Sequence, residues 1–96
     1  MASTKEVQGE KTILKIEGSL SIYEASILRK EWGECLESCE SLAIDLSDVT
    51  DCDITGIQLL YSTRMTAEAA EKSFEITAVS PAISKTLTAA GLPPEI

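Results

Sequence analysis

A chain of 96 residues with 16 acidic and 8 basic side chains, net charge −8, fits one compact domain and is too short for two. Its 44% hydrophobic content argues against disorder, and its charge argues against nucleic acid or an anionic membrane surface as partner. The absence of histidine removes Ser-His and Cys-His nucleophile pairs and a phosphohistidine relay, and it leaves three cysteines short of a fourth zinc ligand.

Thr4 to Val7 and Thr12 to Glu17 read as two strands joined by a hairpin turn at Gly9, and Gly18 ends the second. Ser21 followed three residues later by Glu24 is a capping-box pattern that opens a first helix. Its apolar positions, Ala25, Leu28, Trp32, Cys35 or Leu36, and Cys39, recur at helical spacing. The wet face takes Glu24, Arg29, Lys30, Glu34 and Glu37.

Leu42 to Leu46 is a nearly unbroken apolar run, the pattern of a central strand covered on both faces. Ser47 to Asp53 reads as a polar loop. A second helix spans Ile54 to Lys72, with Asp53 as its N-cap. Phe74 to Val79 is a further strand. A third helix starts at Ser80-Pro81, buries Ile83, Leu87 and Ala90, and stops at Gly91 before Pro93-Pro94.

The order β-β-α-β-α-β-α implies an α/β fold. It has a mostly parallel sheet of four or five strands, an antiparallel N-terminal hairpin and three main helices. The whole chain, 1–96, is expected to form one domain with residues 1–3 and 93–96 loosely ordered. The cysteines are expected to be reduced packing residues, which together with the lack of a targeting or membrane-spanning run implies a cytoplasmic protein. Nothing in the sequence calls for a cofactor or a metal.

The stretch Leu42-Ala43-Ile44-Asp45-Leu46-Ser47-Asp48-Val49, continued by Asp51-Cys52-Asp53-Ile54-Thr55-Gly56-Ile57, resembles the STAS domain family. That family is named for sulfate transporters and anti-sigma-factor antagonists. The pattern is a buried strand ending in D-L-S/T-x-V, a short connection, and D-S/T-S/T-G-L opening a helix. Gly18-Ser19-Leu20 resembles its G-x-L segment. The resemblance implies a non-catalytic regulatory module of the anti-sigma-factor-antagonist type, with a kinase-fold regulator as bacterial signalling partner.

In such members the hydroxyl residue directly before the glycine is phosphorylated by the partner Ser/Thr kinase. Here that residue is Thr55, with Asp53 and Gly56 in the flanking motif positions. The sequence departs from the pattern at Ile54, where Ser or Thr is usual, at Ser21, where Asp is common, and at Thr55 itself, where Ser is more familiar. A phosphate on Thr55 would sit at a helix N-terminus, where the fold tolerates it, and would add charge beside Asp51 and Asp53. Gly56 would let a partner backbone approach. Ile57, Tyr61 and Met65 recur four residues apart and form a candidate docking stripe. Partner-contacting residues are therefore expected to be Asp53, Gly56, Ile57, Tyr61 and Ser21.

Other readings stay open. The domain could be an accessory subunit of an ATP-binding-cassette lipid transporter, docking on its ATPase without a phosphate. Thr55 could be an ordinary helix-start residue bonded to nearby backbone. Asp45 could be the phosphoacceptor of a receiver-like domain, although that chemistry needs an acidic pair after the first strand and a late lysine.

Overall fold

The computed structural model describes residues 2–93. The strands are β1 (Ala2–Gln8), β2 (Lys11–Leu20), β3 (Ser41–Cys52) and β4 (Ser73–Val79). The helices are α1 (Ile22–Ser38), α2 (Ile54–Ala69) and α3 (Pro81–Ala89). They follow one another in the expected order, and the strands lie side by side as β1-β2-β3-β4. β1 is antiparallel to β2, while β2, β3 and β4 are parallel.

Each step from β2 to β3 to β4 moves in the same direction across the sheet. Right-handed crossovers then place α1 and α2 on the same face. The side-chain pattern agrees. On β2, Thr12, Leu14 and Ile16 are buried while Lys11, Ile13 and Lys15 are only partly covered. On β4, Ser73, Glu75 and Thr77 are exposed and alternate with half-buried Phe74, Ile76 and Ala78. The sheet therefore has one helix-covered face and one face open to water. This corrects the expectation that β3 is covered on both sides. Its run looks continuous because Ala43, on the open face between Ile13 and Glu75, is small enough for its neighbours to cover.

Leu14, Ile16, Leu20, Leu28, Trp32, Leu42, Ile44, Leu46, Ile57, Leu60, Ile83 and Leu87 form one continuous core between sheet and helices. Burial of such side chains stabilises the fold by about 1.5–3 kcal/mol each before entropy is set against it. The apolar stripe read for α1 is the buried one: Ala25, Leu28, Trp32, Cys35 and Leu36 all face inward.

Several boundaries differ from the sequence reading. β1 begins earlier than Thr4: Ala2 and Ser3 pair with Glu17 and Ile16, and the Ser3 hydroxyl donates to Glu31 Oε1 at 2.7 Å. Of the ends expected to be loose, residues 1 and 94–96 lie outside the described residues. Gly18, at φ 90°, bends β2 beside a register shift, but the strand continues to Leu20. Ser47 to Cys52 is not a loop. It continues β3, pairing with β2 through Glu17↔Asp48, Gly18↔Val49 and Leu20↔Cys52, with Val49 buried. The segment looks polar because β4 stops opposite Leu46, so this half of β3 has a strand on one side only.

α2 stops at Ala69 rather than Lys72. Glu71 turns left-handed at φ 59°, and the N–H of Lys72 donates to the Ala67 carbonyl at 2.8 Å. α3 ends in the same way, with Gly91 at φ 71° and the Leu92 N–H donating to Leu87 at 2.9 Å. Ala90 is consequently exposed, and Leu92 packs on the core in its place.

Candidate functional site

The start of α2 is a joint between three elements. Asp53, in extended conformation, leaves β3 and caps α2: its Oδ1 accepts from the Gly56 N–H at 3.0 Å. Its other oxygen, Oδ2, accepts from the Ile22 N–H at 3.0 Å, the first residue of α1. One carboxylate thus satisfies orphan donors of two helices and sits at both positive dipole ends. The Asp53 N–H in turn donates to the Leu20 carbonyl at 3.3 Å, holding the end of β2 against the same corner.

Ser21 is the N-cap residue of α1, but its side chain does not accept from the first-turn backbone. Its hydroxyl donates to the Glu24 carboxylate, and Asp53 supplies the cap from across the chain. Neither reciprocal backbone bond of a capping box forms among the described residues, and a tertiary contact caps the helix instead.

Gly56 has a different role from the one expected. It is buried, and a Cβ there would run into the Leu20 carbonyl and lie 2.9 Å from Leu20 Cγ. The missing side chain makes room for this chain's own β2 end, and no partner backbone can reach it there.

Thr55 occupies the second position of α2 and is half-buried. Among the described residues its hydroxyl makes no hydrogen bond, unlike Thr63, Thr66 and Thr86, whose hydroxyls all donate to backbone carbonyls. The capping work at this helix start is done by Asp53 alone.

The apolar stripe is also displaced. Ile57 is 1% exposed and belongs to the core, so its side chain offers nothing to a partner. The core side of α2 carries Gly56, Ile57, Leu59, Leu60, Thr63 and Ala67. That phase turns Ile54, Tyr61 and Met65 outward, at 47% exposure for Ile54 and 70% for Met65. Tyr61 is half-buried against the core, with Arg64 5.9 Å from its ring centroid. Ile22, whose N–H is bonded to Asp53, is also exposed, at 60%. Met65 is exposed as the stripe implies, and Ile54, which the stripe lacked, was within reach of sequence reasoning. Taking Leu60, Thr63 and Ala67 as the inward side already points residues 54, 61 and 65 the other way.

The remaining candidates fall elsewhere. Asp45 lies on the open face of the sheet and accepts from the Ser47 N–H at 2.9 Å. The hydroxyl and N–H of Ser47 hold its carboxyl below the usual range. Asp48 pairs with Lys15 at 3.1 Å, and that hydrogen bond and charge raise the lysine. Among the described residues no group of three or more carboxylates and thiols is placed to hold a metal ion. Burial raises the Cys35 thiol and pushes Cys52 up to about 11, so both are protonated at neutral pH. No described helix is long and apolar enough to cross a membrane.

A two-layer α/β domain with a bridged helix start and an outward apolar ridge is an architecture suited to presenting a surface. The chain belongs to the STAS domain family: the family model described as "Mlab, STAS domain" matches residues 3–93. Among solved structures it is similar to an anti-sigma factor antagonist from Mycobacterium paratuberculosis. The identity is 23% and the TM-score 0.80, covering 94% of this chain and 77% of that one. It is similar also to the anti-sigma factor antagonist SpoIIAA in its unphosphorylated form, at 20% identity and TM-score 0.76, covering 98% and 84%. The phosphorylated form of SpoIIAA, a Bacillus cell fate determinant, matches at 19% identity and TM-score 0.73, covering 98% and 87%. At these identities the likeness is one of fold. No protein of curated function matches the chain in sequence.

Proposed function

We propose that this chain is a non-catalytic regulatory binding module of the antagonist type, switched by phosphorylation of Thr55 by a partner Ser/Thr kinase. The observation that carries the reading is the idle hydroxyl of Thr55. It stands at the start of α2 and bonds nothing among the described residues, so they give it no structural task. A phosphate there would meet the positive end of α2 without displacing the Asp53 cap. It would place about two negative charges beside Asp51, Asp53 and the ridge of Ile54, Tyr61 and Met65. The unphosphorylated ridge binds, and the phosphorylated one repels an acidic partner surface. Support comes also from SpoIIAA, a protein of like fold known in both unphosphorylated and phosphorylated forms. The partner is a kinase-fold regulator, Asp53 and Tyr61 border the contact, and Ser21 flanks it beside the Asp53 corner. Gly56 acts only by holding that corner in place.

A second reading is favoured by the ridge itself, which is apolar enough to bury without any phosphate. In it the domain steadies the ATPase of a lipid transporter, and Thr55 is a bystander. Affinity capture from the source organism, with wild type against Thr55→Glu and bound proteins identified by mass spectrometry, separates the two. A kinase-fold regulator captured by wild type and lost with Thr55→Glu supports the switch. A transporter ATPase captured equally by both removes the switch and supports the second reading.

A further inference from the structure

We propose that the groove between α1 and α2 receives a single amphipathic helix of the protein partner, one whose apolar ridge is flanked by acidic side chains. The proposal deepens the reading above and rests on it.

The groove is lined by Arg29, Gly33 and Leu36 from α1 and by Leu59, Ser62 and Thr66 from α2. Ser62 and Thr66 also border a shallow depression on the outer side of α2, with Gln58, Tyr61, Met65 and Ala69. The two hollows thus share an edge and make one continuous surface. Small side chains let a third helix approach α1 and α2 closely, and Tyr61 and Met65 offer it apolar contact.

Two observations point outward from this surface. The first is Gly33. It lies inside α1, where glycine costs a helix about 1 kcal/mol relative to alanine. A Cβ at Gly33 would meet nothing within 4 Å, in contrast to Gly56. The fold therefore makes no use of the missing side chain, whereas a helix lying in the groove would. The second is charge. In a chain of net charge −8, no acidic side chain is among the residues lining either hollow. Arg29 stands in the groove and Arg64 flanks Tyr61 on the other side. Complementarity asks for carboxylates on the incoming helix. A second copy of this acidic chain would bring like charges together instead.

The placement of Thr55 links the groove to the switch. Ser62 and Thr66 follow Thr55 by seven and eleven residues, so all three lie along the groove side of α2, with Thr55 at its N-terminal end. A phosphate there would confront the acidic flank of the bound helix.

The test is a selection against the full chain from a displayed library of amphipathic helices with randomised outer faces. Selected helices are synthesised, and their affinities are measured by fluorescence anisotropy. Wild type is compared with Gly33→Trp, Gly33→Ala and Arg29→Glu, with the melting temperature of each variant recorded. The expected winners carry Asp or Glu beside an apolar ridge and bind more weakly as salt rises. Gly33→Trp and Arg29→Glu each weaken them about tenfold or more. Gly33→Ala raises the melting temperature while weakening binding, which separates a groove effect from loss of fold. Should Gly33→Trp itself unfold, Arg29→Glu and Gly33→Ala decide the matter.

Basic or uncharged winners, no winners, or affinities indifferent to these variants overturn the proposal. So does a homodimer that Gly33→Trp dissolves. Acidic helices that bind the groove and ignore Thr55→Glu leave the groove standing and remove the switch. A native partner lost with Thr55→Glu but indifferent to Gly33→Trp and Arg29→Glu removes the groove and leaves the switch.

Discussion

The starts of α2 and α3 use the same local chemistry for different ends. Both follow a strand, both have an N-cap residue in extended conformation, and both caps accept from the backbone N–H three residues on. Ser80 is buried, bonds the Ile83 N–H at 3.4 Å, and hands on to Pro81, whose fixed φ suits the first helical position. Its interactions end within its own turn. Asp53 has a second oxygen, and it spends that one on α1. A local stop signal thereby becomes a tertiary joint, drawn tight by the fit of Gly56 against Leu20. The contrast teaches that a carboxylate cap can organise more of a fold than a hydroxyl cap. It also shows why Thr55 is left without structural work beside it.

The contrast can be broken most severely at Gly56. Gly56→Val drives a branched side chain into the Leu20 backbone, and a loss of about 3 kcal/mol or more is expected in urea unfolding. A variant as stable as wild type would mean that β2 and α2 are not held in contact. Asp53→Ala comes next: two cap bonds vanish, and about 2 kcal/mol should go with them. Ser80→Ala removes one cap and should cost about 1 kcal/mol. Equal losses for these two would show that the bond to Ile22 contributes nothing, and the joint would reduce to a second local cap. The smallest effect belongs to Thr55→Ala. With no bond to lose, its stability should stay within about 0.5 kcal/mol of wild type. A larger loss would restore the reading of Thr55 as a structural helix-start residue.

Much of this architecture is legible along the chain. The order of elements follows from period-two and period-3.6 patterns and from Ser21, Asp53, Ser80 and Gly91 as punctuation. The motif around Asp53, Thr55 and Gly56 is legible as a family resemblance, and Asp53 is visible as a cap. The second half of β3 is not legible, because a strand paired on one side carries polar residues that look like a loop. The end of α2 is missed because Glu71, unlike Gly91, gives no composition signal for a left-handed residue. At the site, Ile57 reads as exposed because the inward stripe of α2 is broad enough to include residues three apart on either side of Leu60.

The sequence by itself determines the order of strands and helices, the residues that open the three helices, and that one chain of this size and charge has a single core. These depend on neighbours within a turn or two, so near-range pattern carries them. Only the tertiary structure decides that Asp53 serves two helices, that Gly56 answers to Leu20 rather than to a visitor, and that Ile57 is buried in the core. Only it shows that Gly33 answers to nothing inside the fold. Each depends on the approach of segments distant along the chain, and that approach is set by strand order and helix packing, which no local pattern encodes.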